Sequence, residues 1–155
     1  MSVTIEEKNK IHGLAAIWHI LGQDRLYGKV QTKLAAHDYL LAHGLPFTAI
    51  KSLSAIIHVD LKKEGKAVFG LGGKTIQRRA LKHHLSTDEA TMVFRFAEVV
   101  FQAIDAFGDR EKAVRWMRKP CKALNNKTPL FLLQDDIGRG LVEDVLGQIR
   151  YGLYS

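Results

Sequence analysis

Apolar side chains recur at three- and four-residue intervals along almost all of this 155-residue chain, and the strict alternation of a half-buried strand is rare. That period gathers them on one side of an α-helix, so the fold class read from the sequence is all-α. The clearest stretch begins at Ser86-Thr87-Asp88-Glu89, a capping box in which a Ser side chain serves the N–H of Glu89 and Glu89 reaches back. It opens a long helix with Met92, Phe96, Val99, Val100, Ala103 and Phe107 along one side. Gly108 ends that helix, and Asp109 caps the next, whose apolar side is Ala113, Val114, Trp116 and Met117 and which stops at Pro120. Thr128-Pro129 reads as an N-cap with Pro at the first helical position, ahead of Leu130, Leu132 and Leu133. A last helix carries Leu141, Val142, Val145, Leu146 and Ile149, with Gly152 as its C-terminal cap.

The first half is less regular. Ile11, Leu14, Ala15, Trp18 and Leu21 fit one helix face ending near Gly22, and residues 31–43 form a second helix ending at Gly44. Pro46 fits a helix first turn, followed by the stripe Ala49, Ile50, Leu53, Ile56 and Ile57. A helix over 61–69 has Leu61, Ala67 and Val68 as core candidates. Gly70-Leu71-Gly72 makes a tight turn, and a helix over 73–83 points Ile76 and Leu81 inward. Helix, short glycine turn and second helix are the elements of a helix-turn-helix. The segments divide as 1–44, a helical extension, 45–84, the helix-turn-helix region, and 85–155.

Charge divides at the same place. Residues 1–84 hold 13 Lys and Arg against 6 Asp and Glu, a net of +7, whereas residues 85–155 hold 10 of each. An excess confined to one half fits a polyanion there and a different partner for the rest. On the second helix of the turn, Lys74, Thr75, Gln77, Arg78, Arg79 and Lys82 crowd into nine positions. Arg and Gln can read base edges and Thr and Lys suit phosphates, so these six are the candidate DNA contacts. Lys62, Lys63 and Lys66 on the preceding helix would hold the flanking backbone.

Enzyme chemistry finds little support. The Gly70–Thr75 run lacks the preceding strand and the spacing of a nucleotide loop. Cys121 sits among Arg118, Lys119 and Lys122, but no histidine lies beyond His84 to pair with it. The histidines have no metal-site spacing, and Asp135-Asp136 and Glu143-Asp144 read as helix-end charges. The reading is a non-enzyme with no metal or cofactor. One cysteine, no apolar run of membrane-spanning length and no basic region before an apolar run at the N-terminus point to the cytoplasm.

The strings LSTDEA, FGDREKAVRWMRKP, KTPLFLL and LVEDVLGQIRYGLYS, together with FGLGGKTIQRR, resemble the Xre/MbcA/ParS antitoxins over about residues 45–155. The chain departs from that pattern at Gly72, where the family has a polar cap, at Asn125-Asn126, where it has Gly-Gly, and at Cys121, where Asn is usual. The resemblance implies a C-terminal toxin-binding domain that silences a RES-type, NAD-consuming toxin. It also implies repression of the chain's own operon through operator DNA; operators read by helix-turn-helix proteins are usually two-fold, so a homodimer within the toxin–antitoxin complex is expected. The toxin contact falls on Arg150, Tyr151, Gly152, Leu153, Tyr154 and Ser155, where two tyrosines flank a glycine and offer large, stiff contact area. The alternative is a stand-alone helix-turn-helix regulator whose C-terminal half only dimerises.

Overall fold

The computed structural model describes the backbone of residues 5–152 and the side chains of residues 13–152. Among the described residues nine α-helices run in order: α1 (Ile5–Ile20), α2 (Lys33–His43), α3 (Phe47–Ile56), α4 (Leu61–Phe69), α5 (Gly73–Lys82), α6 (Thr87–Phe107), α7 (Arg110–Met117), α8 (Pro129–Leu132) and α9 (Asp136–Arg150). Among the described residues there is no strand, and the fold is all-α. Ile11 lies outside the described side chains.

The 21-residue α6 is the axis. Its capping box is complete: Ser86 Oγ accepts the Glu89 N–H and Glu89 Oε1 accepts the Ser86 N–H. Val93, Phe94, Phe96, Ala97, Val99, Val100 and Ala103 are buried, more of the helix than one side could supply, because α1, α2, α3, α7 and α9 all pack on α6. One apolar cluster therefore runs from Leu14 to Leu146. Trp18 ties the N-terminal segment in: its ring lies 5.3 Å from that of Phe94, and its buried Nε1–H donates to the Val30 carbonyl at 3.1 Å. Burial of an indole with its one polar atom satisfied stabilises without a desolvation penalty.

The other caps follow local chemistry. Thr32, Asp60, Asp109, Thr128 and Asp135 each accept from a backbone N–H of the helix they precede. Asn125 and Asn126 both adopt positive φ, 57° and 63°, so the loop geometry survives without the two glycines. Pro46 stands one position before α3, as its N-cap, rather than inside its first turn.

Three apolar residues expected in the core are not there. Leu81 is 82% exposed. It follows the buried Ile76 by five residues, which turns it about 140° around the helix. Ala67 is exposed beside the buried Val68, because α4 rests on Val68 and Gly65. Leu141 is exposed for the same kind of reason, since α9 is seated on Val142, Val145 and Leu146.

Candidate partner-binding surfaces

The α4–α5 pair is set by one small residue. A Cβ on Gly65 would stand 2.5 Å from Ile76 Cδ1 and 3.2 Å from the Leu71 carbonyl oxygen, so glycine is what lets α5 approach. Leu71 is half-buried in the turn, Gly70 closes α4 at φ 71°, and Gly72 precedes α5 without a side-chain cap. The C-terminal end of α5 is pinned as well: the Phe47 N–H donates to the His83 carbonyl at 3.2 Å and the Leu85 N–H to the Leu45 carbonyl at 3.0 Å.

Of the six candidate DNA contacts, Lys74, Gln77, Arg78 and Lys82 are exposed and share the outer side of α5, with Leu81 among them. Thr75 is half-buried at the edge of that side. Arg79 is turned away: its Nε lies 2.7 Å from Glu89 Oε1, with side chains only 20% and 12% exposed. Arg79 is committed to holding α5 on the start of α6. Lys62, Lys63 and Lys66 stand exposed on α4.

That first helix is fastened to the C-terminal half. Asp60 caps α4 through the N–H groups of Lys62 and Lys63, and Glu64 Oε2 accepts the Asp60 N–H at 2.9 Å. The other Glu64 oxygen meets Arg118 Nη2 at 2.8 Å. The backbone hydrogen bond from Asp60 and the Arg118 guanidinium hold the Glu64 carboxyl below its ordinary range. Burial pushes Glu89 the other way, but the Arg79 hydrogen bond and the Ser86 N–H outweigh it and leave that carboxyl low too. Gln134 Nε2 donates to the Ala67 carbonyl, joining the α8–α9 elbow to the end of α4.

A second surface lies on α9. Ile137, 81% exposed, and Leu141 lie on one side of the helix, and Tyr151, 75% exposed, follows on that side just past its end, about 20 Å from Ile137, with exposed Asp144 and Gln148 between them; the exposed Phe131 stands on neighbouring α8. The helix beneath is rigidly seated: Asp135 caps it through the Gly138 N–H at 2.7 Å, and a Cβ on Gly138 would overlap the Leu132 carbonyl at 2.0 Å. Of the paired carboxylates, Asp136 lies on Arg95 and Arg139, and Glu143 on Arg139 and Gln102. Arg150, expected at the toxin, lies 3.1 Å from Asp105 of α6. Gly152 has φ 70°, and Leu153, Tyr154 and Ser155 lie outside the described residues. Neither Ile137 nor Phe131 stood out as a site in the sequence. The available signal was angular: Ile137 sits about 130° around the helix from the centre of the arc of Val142, Val145 and Leu146.

Among the described residues no three His, Cys, Asp or Glu side chains group as a metal site, and no helix is long and apolar enough to cross a membrane.

The fold thus presents two separate exposed surfaces, the basic outer side of α5 and the apolar residues on α8 and α9. Residues 102–152 match the family described as the antitoxin Xre/MbcA/ParS C-terminal toxin-binding domain. The chain is 30% identical over 121 residues to "Antitoxin Xre" of Photorhabdus laumondii, covering 75% of this chain and 79% of that one. It is 34% identical over 80 residues to "Antitoxin Xre" of Yersinia enterocolitica, covering 51% and 54% of the two chains. With the "Prs ADP-ribosylating antitoxin" of a Sphingobium strain it shares 28% identity over 126 residues, covering 75% and 79%. The chain belongs to the Xre/MbcA/ParS family of antitoxins, a family of binding proteins rather than enzymes. All of α7, α8 and α9 lies within the matched toxin-binding region.

Proposed function

We propose that this chain neutralises a RES-type, NAD-consuming toxin by occluding its active site, and that it represses its own operon as a cytoplasmic homodimer. The observation that carries the reading is the apolar side of α9. Ile137, Leu141 and Tyr151 are exposed on a rigid helix inside the region matched to the toxin-binding domain. Large apolar side chains on a fixed scaffold make good anchors, because little entropy is lost when they are covered. The stripe leads toward Gly152, and the tail residues Leu153, Tyr154 and Ser155 would enter the toxin cleft while α9 seals its rim. The ADP-ribosylating chemistry in the Sphingobium relative's name draws on NAD and agrees with that class of target.

DNA binding rests on α4, the glycine turn and α5, read as a helix-turn-helix. Lys74, Gln77, Arg78 and Lys82 face outward for base and phosphate contact, Thr75 adds an edge contact, and Arg79 orients the helix. A two-fold operator calls for two copies.

The test is a growth rescue. A RES-type toxin is expressed with this chain intact or stopped after Ile149, and growth and cellular NAD are followed. Rescue by the intact chain, lost on truncation at equal expression, is the expected result. Rescue by both places inhibition on the helical domain alone. Rescue by neither leaves a stand-alone regulator, to be pursued by titrating its own promoter DNA between 50 and 200 mM salt, where about six phosphate contacts would weaken binding on the order of a thousand-fold.

A further inference from the structure

Helix α2 lies outside both surfaces described so far and carries an apolar side that no described residue covers. Leu34 is 73% exposed and Leu41 59% exposed. They stand two turns apart, opposite the buried Ala36 and Leu40 that seat the helix. The helix is firmly held: Thr32 caps it through the Ala35 N–H at 3.0 Å, and Lys33 Nζ reaches Glu98 on α6 at 3.3 Å. Between the two leucines, on the same side, His37 and Asp38 are exposed with Nδ1 and Oδ1 3.7 Å apart.

We propose that this side of α2 is where two copies of the chain associate, by antiparallel contact of α2 with α2 across a two-fold axis. The inference rests on the homodimer reading above and assigns it a surface. A two-fold interface must be self-complementary, and the sequence of α2 is. With the axis between His37 and Asp38, Leu34 of one copy faces Leu41 of the second, and His37 of one faces Asp38 of the second. Apolar surface then meets apolar surface at both ends, with an acid beside an imidazole twice at the centre. In a parallel arrangement Asp38 would face its own copy, which costs energy.

Other occupants fit less well. The toxin-binding region begins at residue 102, beyond α2. Nucleic acid would need positive charge, but this side offers two leucines and an aspartate, and Lys33 is drawn to Glu98. A contact built on one short helix falls below the standard interface size of about 1,600 Å². Association should therefore be reversible, with a dissociation constant of roughly micromolar order.

The experiment uses the full chain. Sedimentation equilibrium at tens of micromolar should give twice the 17.4 kDa chain mass. The variants L34K/L41K and L34E/L41E should each sediment as monomers with unchanged circular dichroism and melting temperature, since both positions are exposed. Mixed in equal amounts, they should regain the dimer mass, because lysines of one chain then face glutamates of the other. A monomeric wild type would overturn the homodimer reading and this surface together. Dimeric L34K/L41K and L34E/L41E would leave the homodimer standing and overturn the surface. Two monomeric variants that fail to pair on mixing would overturn the antiparallel register.

Discussion

Arg79 Nε lies 2.7 Å from Glu89 Oε1, and that same oxygen accepts the Ser86 N–H at 2.9 Å. One carboxylate therefore closes the capping box of α6 and fastens α5 to it. Charge-assisted hydrogen bonds between largely covered groups are worth about 1.5–3 kcal/mol. Arg79→Ala should cost toward the lower end of that range, because water still reaches the pair. In a chain of this size that lowers the melting temperature by about 3–8 °C. Arg78→Ala removes an exposed neighbour and should leave it within about 1 °C, while weakening binding to promoter DNA if α5 reads it. Thermal melts beside DNA titrations separate a positioning arginine from a contacting one.

The same two glutamates set an acid limit on stability. Glu64 and Glu89 have carboxyl groups below the ordinary glutamate range when folded. A group whose folded value is depressed contributes stability that is full above its unfolded value, about 4.3, and that falls away as pH drops through the folded value. The melting temperature should therefore lose nothing to these groups between pH 6 and 8 and decline below about pH 4. Glu89→Gln should start from a lower melting temperature and show a shallower acid decline. An equal decline in the variant would show that Glu89 carries none of the linkage.

Gly65 gives a test of how α4 and α5 meet. Alanine favours a helix interior over glycine by about 1 kcal/mol, so an exposed site would gain. Here the new methyl would press on Ile76 Cδ1 and the Leu71 carbonyl, and overpacking costs about 1–3 kcal/mol. Gly65→Ala should be net destabilising, by about 1 kcal/mol. Ile76→Val removes the atom it would strike, so the two changes should couple: Ile76→Val costs about 0.5–1.5 kcal/mol alone and close to nothing beside Gly65→Ala. Chemical denaturation of the four proteins in the cycle measures that coupling.

The places where sequence and structure part company have a common cause. Caps and breakers act within a few residues, so Ser86, Asp109, Thr128-Pro129 and Gly152 could be placed from local chemistry alone. The direction a helix faces depends on what it packs against. Leu81, Ala67 and Leu141 read as core because they are apolar and near core residues, yet each lies well around the helix from the seat defined by Ile76, Val68 or Val142. Arg79 read as a DNA contact because its neighbours are basic, and its partner Glu89 belongs to the next helix. The α9 stripe stayed hidden for the converse reason: Ile137 and Tyr151 are fourteen residues apart, and only a continuous helix brings them to one side.

Ser54 is buried on α3, and among the described residues its Oγ has no hydrogen-bond partner. A hydroxyl sequestered without a partner costs about 1–3 kcal/mol, and alanine is also the better helix former. Ser54→Ala should therefore stabilise the chain, by about 1 kcal/mol, and raise its melting temperature by about 2–4 °C. A melting temperature unchanged or lowered by the substitution would mean that the hydroxyl is satisfied in solution.

If the apolar side of α9 holds the toxin, its residues should separate binding from folding. Ile137→Asp falls in the first turn of α9, where a negative charge is favoured by the helix dipole, and the isoleucine it removes is exposed. Leu141→Asp lies one turn on, also outside the core. Each should change stability by no more than about 0.5 kcal/mol. Each would also place a carboxylate where an apolar anchor is covered on binding, which weakens toxin capture by about 2 kcal/mol or more, roughly thirty-fold. Val142→Asp is the contrasting change: Val142 is fully buried, and an unpaired charge there should unfold the domain. Calorimetric titration of the toxin, beside melts of the antitoxin alone, tests the division. Full-strength binding by both Ile137→Asp and Leu141→Asp would remove α9's outer side from the interface and leave the tail to act alone.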